Sequence, residues 1–192
     1  SPGEFYQLDM EMAFATQEDV FSTIEPVLTS VFSEFSDWDI TSNPFPKITY
    51  KDAMLKYGTD KPDLRNPLEI CDVTDAFLHE GVTFKAFKEQ IIKGAVVRGI
   101  AAHNVADKPR SFFDKLNSWA QGEGQPGLGY ILLSDGEAKG PIGKFLSKEA
   151  IDIIKNKANA KDGDAIFFIC NKVKEAENFA GKSRMKIAED MD

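Results

Sequence analysis

Residues 4–14 read EFYQLDMEMAF, and their alternation is the most informative pattern in this chain. From Gln7 to Met12, polar and apolar side chains alternate strictly, which predicts a β-strand with two different faces. One face carries the amide of Gln7 and the carboxylates of Asp9 and Glu11. Such a row could line a polar pocket and hold an ammonium group or a metal ion. The alternative is an ordinary edge strand whose polar face is in solvent, as is usual in antiparallel sheets.

An amphipathic helix is predicted directly after this strand. Thr16 and Asp19 have the spacing of an N-cap residue and its third helical residue, close to a capping box. Apolar residues then recur at helical spacing as far as Phe35. Because proline lacks the amide hydrogen of a helical hydrogen bond, Pro26 is expected to bend or interrupt this helix near residues 23–25.

Short strands and helices alternate through the rest of the chain. Strands are predicted at residues 82–87, 95–102, 129–133 and 165–170. Helices are predicted at residues 50–57, 74–78, 111–120, 141–146, from Ser147 onward, and 173–191 with a break near Gly181. The strand at 165–170 is nearly all apolar, which favours a central position buried on both faces. The pattern indicates an α+β fold with a mostly antiparallel sheet and helices on one face.

Composition limits the classes of partner. The net charge of −8 argues against a nucleic-acid platform, because phosphate binding needs clustered basic residues. One modest basic group occurs near the C-terminus, and a solvated helix face explains it: Lys172, Lys174, Lys182, Arg184 and Lys186. No apolar run approaches the roughly 20 residues of a membrane span. Neither DNA nor a membrane is therefore an expected partner.

The cysteines and histidines predict no metal site. Cys71 and Cys170 fit no paired-cysteine or Cys/His spacing, which favours free, buried thiols over a disulfide or a metal site. His79 and His103 are isolated in sequence, and helix-end or surface positions explain them better than catalysis.

Three further stretches carry a specific resemblance. Residues 57–67 read YGTDKPDLRNP, residues 117–130 read NSWAQGEGQPGLGY, and residues 161–168 read KDGDAIFF. Together with residues 4–14, they resemble bacterial-type aspartyl-tRNA synthetases of class IIb. Residues 4–14 resemble the second strand of motif 2 in that family. The stretches at 117–130 and 161–168 resemble its GAD insertion, a domain shared with an amidotransferase subunit.

The resemblance implies a domain organisation. Residues 1–81 would be a partial class II catalytic core from the end of motif 2 onward. Residues 82–180 would be the inserted α+β GAD domain, and residues 181–192 a segment returning to the core. The chain is thus expected to be an internal fragment of a longer parent enzyme. Motif 1, motif 3 and the ATP-clamping arginine of motif 2 are expected outside it.

The resemblance also implies a function. The parent would activate L-aspartate with ATP and Mg²⁺ and transfer it to tRNA, as a cytoplasmic enzyme and a homodimer. The fragment alone is expected to be inactive, with no catalytic residue, metal or cofactor of its own. An alternative is a GAD-type interaction module that contacts tRNA or a protein partner.

Two groups of residues are the candidate sites that the resemblance implies. Gln7, Asp9 and Glu11 would line the aspartate pocket. A second group would belong to a loop near the active site: Asp60, Lys61, Asp63 and Arg65. The alternative for this loop is a rigid connector whose charged side chains pair with one another. The glycines at 122, 124, 127 and 129 lack a phosphate-loop pattern and favour a helix-to-strand connection instead.

Overall fold

A capping box starts the first helix, α1 (Gln17–Phe35). The Asp19 amide donates to the Thr16 hydroxyl at 3.4 Å, and the Asp19 carboxylate accepts from the Thr16 amide at 2.8 Å. The predicted cap is therefore confirmed. The helix continues without interruption through Pro26, so the predicted interruption is wrong. A proline removes only one helical hydrogen bond, and the other bonds of this 19-residue helix remain.

The computed structural model describes residues 3–40 and 42–191, which form two compact units. The first unit ends at Ile48, and the second begins at Thr49. In the first unit, residues 4–12 form neither helix nor strand, so the strand predicted from Gln7 to Met12 is wrong for this structure. A strand needs a partner for its backbone hydrogen bonds, and every strand among the described residues lies in the second unit.

The second unit is built around a five-stranded antiparallel sheet with the order β1-β2-β5-β3-β4. The strands are β1 (Ile70–Asp72), β2 (Val96–Ala102), β3 (Gly129–Ser134), β4 (Glu137–Lys139) and β5 (Ala165–Asn171). The helices are α2 (Tyr50–Tyr57), α3 (Thr74–Leu78), α4 (Lys85–Ile92), α5 (Arg110–Gly122), α6 (Lys148–Lys157) and α7 (Val173–Met191), with a 3₁₀ turn at Gly143–Phe145. The α+β class with an antiparallel sheet is confirmed.

Both faces of the sheet are covered, which corrects the prediction of helices on one face. Phe167 and Ile169 of β5 point toward α5 and α7, where they join one core cluster. Ile166 and Phe168 point the other way, into a second cluster with residues of α3 and α6. The continuous apolar run of β5 explains this arrangement, because a strand that is apolar on both faces needs cover on both. The central, buried position predicted for β5 is confirmed.

Helix α4 replaces the strand predicted at 82–87. Phe84, Phe87 and Ile91 are three and four residues apart, so one side of the helix turns them toward the core. Phe87 packs against Phe77 and Phe84 with ring centroids 5.0 and 4.8 Å apart. The stretch predicted as a strand therefore contains the segment before α4 and the first residues of that helix.

The predicted domain boundaries stay predictions about the parent enzyme. In this structure the two compact units divide between Ile48 and Thr49. Strand β1 pairs with β2, so the sheet includes residues on both sides of position 81. The outer ends of the predicted domains, residues 1–2 and 192, lie outside the described residues.

Candidate functional site

The polar row near the N-terminus is exposed to solvent. Gln7, Asp9 and Glu11 are all exposed, and the Gln7 amide donates to the Asp9 carboxylate at 3.5 Å. The row belongs to the first compact unit, whereas the candidate loop belongs to the second. The aspartate-pocket role of the row stays a prediction.

The loop at 59–67 is irregular, as predicted, and its four charged side chains pair within the loop. The Lys61 ammonium lies 3.0 Å from the Asp60 carboxylate. The Arg65 guanidinium donates to both oxygens of Asp63, from Nε at 2.9 Å and from Nη2 at 2.6 Å. The side chains of Lys61 and Arg65 remain 84% and 71% exposed. The charged side chains thus pair with one another, which is one of the two alternatives that the sequence left open.

Arg65 also controls the ionisation of its partner. Hydrogen bonds from its side chain and its backbone amide lower the pKa of the Asp63 carboxyl to about 2. The same side-chain bond raises the pKa of Arg65. Asp63 is therefore an anion throughout the range in which proteins ordinarily work, and the loop presents two paired anions and two paired cations.

Arg184 binds the backbone of this loop, a role that the sequence did not predict. Arg184 is only 1% exposed, so its predicted position on a solvated basic face of α7 is wrong. The Arg184 Nη2 donates to the backbone carbonyls of Asp63 at 2.9 Å and Asn66 at 2.6 Å. Its Nε donates to the carbonyl of Leu68 at 2.5 Å. A single arginine thus fixes the backbone from residue 63 to residue 68.

Two glycines allow the start of the loop to approach α7. Gly58 ends α2 in the left-handed conformation at φ 68°, which favours glycine. A Cβ on Gly58 would lie 2.4 Å from the Glu177 carbonyl oxygen, and one on Gly181 would lie 2.9 Å from the Gly58 oxygen. The helix α7 is continuous at Gly181, so the predicted break is wrong. This glycine serves close backbone contact.

A cavity of about 630 Å³ opens on the second unit beside Pro67, the end of this loop, between α2, β1 and the C-terminal end of α6. Its charged lining is largely paired within the protein. Lys56 lies 3.4 Å from Glu69, and the lining residue Lys157 lies 2.6 Å from Asp75 outside the cavity. With its charges satisfied internally, this cavity indicates no ligand class.

His103 borders the same cavity and has a buried partner. Its Nδ1 donates to the Asp164 carboxylate at 2.9 Å, and Asp164 is 0% exposed. Burial opposes ionisation of Asp164, but hydrogen bonds from the amides of Lys161 and Asn104 and from His103 outweigh it, so the pKa of Asp164 is lowered. These bonds tie the end of β2 to the turn before β5, which is a structural role.

The two thiols are half-buried, and burial raises the pKa of Cys71 and of Cys170 to about 11. Both are therefore poor nucleophiles at neutral pH. Between residues 3 and 191, leaving out residue 41, no three His, Cys, Asp or Glu side chains group closely enough to hold a metal ion. In the same part of the chain, no helix is long and apolar enough to cross a membrane.

The chain matches a known protein family and is similar to several curated proteins. Residues 1–191 match the family described as tRNA synthetases class II (D, K and N). An Aspartate–tRNA(Asp/Asn) ligase of Methylorubrum populi is 57% identical over 195 residues, covering 100% of this chain and 32% of the relative. A ligase of the same name from Rickettsia bellii is 53% identical over 193 residues, with the same coverage. The chain spans about a third of the length of the curated relatives it matches.

Proposed function

This chain belongs to the class II tRNA synthetases of the D, K and N type, and we propose that its parent, the longer protein that contains it, is an aspartate–tRNA ligase. Family membership confirms the resemblance that the sequence motifs indicated. The observation that carries the proposal is the 53–57% identity to ligases of that name along the whole chain.

The reaction has two steps in this family. The aspartate carboxylate attacks the α-phosphorus of ATP, so that pyrophosphate leaves and an aspartyl adenylate forms. The acyl group then passes to a ribose hydroxyl at the tRNA 3′ end, and AMP leaves. Catalysis of this kind depends on positioning and on stabilising developing charge.

Magnesium ion, when bound with ATP, would neutralise phosphate charge. No metal-binding group of three acidic, His or Cys side chains occurs in the described part of this chain. The proposal that the parent uses ATP and Mg²⁺ therefore rests on family membership.

Within the parent, the polar row would hold the amino-acid substrate. Asp9 and Glu11 would pair with its ammonium group, and the Gln7 amide oxygen would add a neutral acceptor. Both carboxylates are exposed in this structure, so they are free to meet a cation. Pairing is favourable when substrate and carboxylates share the cost of losing water.

The loop at 59–67 would be a binding loop of the parent's active site. Its two anions, Asp60 and Asp63, and its two cations, Lys61 and Arg65, give it no net charge. Such a loop would orient a substrate through directed hydrogen bonds rather than through net attraction. The clamped backbone supports this role, because a binding loop must hold its side chains in one geometry.

The parent's tRNA substrates follow from its relatives. The matching ligases are named for tRNA(Asp) and tRNA(Asn) together, and the parent would charge both. It would act in the cytoplasm as a homodimer. A GAD-type contact between the sheet unit and tRNA or a protein partner is compatible with this assignment.

Aminoacylation by the full-length parent tests the function. Transcripts of tRNA(Asp) and tRNA(Asn) should each gain an aspartyl ester in the presence of ATP, Mg²⁺ and radiolabelled aspartate. A transcript of tRNA(Phe) is the control and should stay uncharged. Charging of tRNA(Asp) alone would remove the second substrate but keep the ligase, whereas no charging of either would overturn the proposal.

A further inference from the structure

Arg184 is a buried cation whose hydrogen bonds go to backbone carbonyls and not to a carboxylate. The carboxylates of Asp63 and Glu69 favour its charged form from a distance. Its guanidinium meets three backbone carbonyls instead, those of Asp63, Asn66 and Leu68. Buried charges in proteins are normally paired, because losing water is costly. A buried arginine at this position therefore indicates that the hydrogen-bond geometry of its guanidinium is needed there.

The geometry is one that only arginine supplies. A guanidinium has five donors in a planar fork, so it can reach several carbonyls along a bent backbone at once. A lysine ammonium is a compact charge on a flexible stem and cannot span the same positions. Desolvation lowers the pKa of Arg184, but an arginine side chain stays charged in proteins.

Side chains in the loop and just before it also contact Arg184 on α7. The Asn66 Nδ2 donates to the backbone carbonyl of Arg184 at 3.2 Å, and its Oδ1 accepts from the amide of Leu68 at 3.0 Å. The Tyr57 ring lies 5.0 Å from the Arg184 guanidinium, in cation–π range. The loop is therefore held at its beginning, at its end and through its backbone, while its charged side chains stay outside.

Helix α7 connects this clamp to the sheet. Its buried residues Ala176, Phe179 and Ile187 belong to the core cluster that β2 and β5 form with α5. The loop is thus fastened to the helix that packs on the centre of the sheet. Movement of the loop relative to the sheet would require breaking the Arg184 bonds.

We propose that Arg184 is a positioning residue for the candidate active-site loop at 59–67: it fixes the loop backbone, so that Asp60, Lys61, Asp63 and Arg65 keep one orientation toward a substrate. This inference rests on the proposed function of the parent. It also gives the sheet unit a role within the ligase, because the unit carries the helix that sets the loop.

Limited trypsin digestion of the 192-residue chain tests the clamp without any activity. Trypsin should cut after Arg65, whose side chain is exposed, but not after Lys61, which precedes a proline. In Arg184→Met, cleavage after Arg65 should accelerate about tenfold relative to cleavage after Lys93, an exposed turn residue. Arg110→Met is the matched control, since Arg110 is 88% exposed on α5, and it should change nothing at Arg65.

A second variant tests the same clamp in case Arg184→Met unfolds as a whole. Asn66→Ala removes the side chain that bonds to the Arg184 carbonyl but leaves the buried charge in place. It should also accelerate cleavage after Arg65 relative to Lys93, while the thermal unfolding profile stays cooperative. Equal acceleration at both bonds in both variants would overturn the positioning role.

Steady-state kinetics on the full-length parent test the link to the substrate. Arg184→Met and Asn66→Ala should each raise KM for aspartate about tenfold, with kcat and KM for ATP changed less than about twofold. A purely structural residue would instead lower kcat with the folded fraction and leave both KM values unchanged. Local loosening of the loop without a change in KM for aspartate would overturn the proposal, although the parent would still be a ligase. If the wild-type parent does not activate aspartate, the proposed function is wrong, but the trypsin result on the loop is unaffected.

Discussion

The 192-residue chain alone is expected to be at least about 10⁴-fold slower in aspartate-dependent pyrophosphate exchange than the full-length parent. The chain spans about a third of the length of the relatives, and the ATP-clamping arginines of motif 2 and motif 3 are expected elsewhere in the parent. Removing one donor that stabilises developing charge costs about 10²–10³ in rate, and here two would be missing.

The measurement compares exchange of labelled pyrophosphate into ATP at equal molar concentrations of chain and parent. Adding the chain to the parent is the control for an inhibitor in the preparation, and it should leave the rate of the parent unchanged. Measurable aspartate-dependent exchange by the chain alone would show that these residues carry the ATP site, contrary to our assignment.

In the parent, Asp9→Asn is expected to raise KM for aspartate by about 10- to 150-fold, the range for a lost hydrogen bond between charged groups. The substitution keeps the size of the side chain but removes the charge that would pair with the substrate ammonium. KM for ATP should change little, because the row faces the amino acid in our assignment. Exchange rates measured across aspartate and ATP concentrations separate the two constants.

Asp39→Asn is the matched control for this experiment. Asp39 is an exposed carboxylate of the same compact unit, so its substitution makes the same change in net charge. It should leave both KM values unchanged. Equal effects of the two substitutions, or no effect of Asp9→Asn, would remove the row from the aspartate pocket.

Local signals in the sequence predicted much of the fold. The Thr16 capping box is formed, and so are the helices predicted at 50–57 and from Ser147 onward. Each of these helices begins at a capping residue, and a cap depends only on residues within one turn. The apolar run at 165–170 also predicted the central strand, since burial on both faces needs no knowledge of its neighbours.

Two of the errors arose where partners distant in sequence decide the structure. Gln7–Met12 has the pattern of a strand, but in the described residues no strand pairs with it. Gly181 looked like a helix break, although its lack of a side chain serves contact with Gly58. The sequence could not reveal the contact between Gly58 and Gly181, because the two residues are far apart along the chain.

The candidate site shows the same limit. The charged residues of the loop were found from their motif, and their mutual pairing is a local property. Arg184 lies about 120 positions after the loop that it holds, among basic residues typical of an exposed helix face. One signal was present: Arg184 lies four residues after Ala180 and three after Gly181, on a side of α7 where small residues allow close packing.

The amino-acid dependence of pyrophosphate exchange by the full-length parent is the most direct test of the central claim, that this chain is part of an aspartate-activating ligase. Labelled pyrophosphate should enter ATP when L-aspartate is supplied, and remain at background with L-asparagine, L-glutamate or L-lysine. Exchange supported by lysine or asparagine instead, or no exchange with any of the four, would contradict the account.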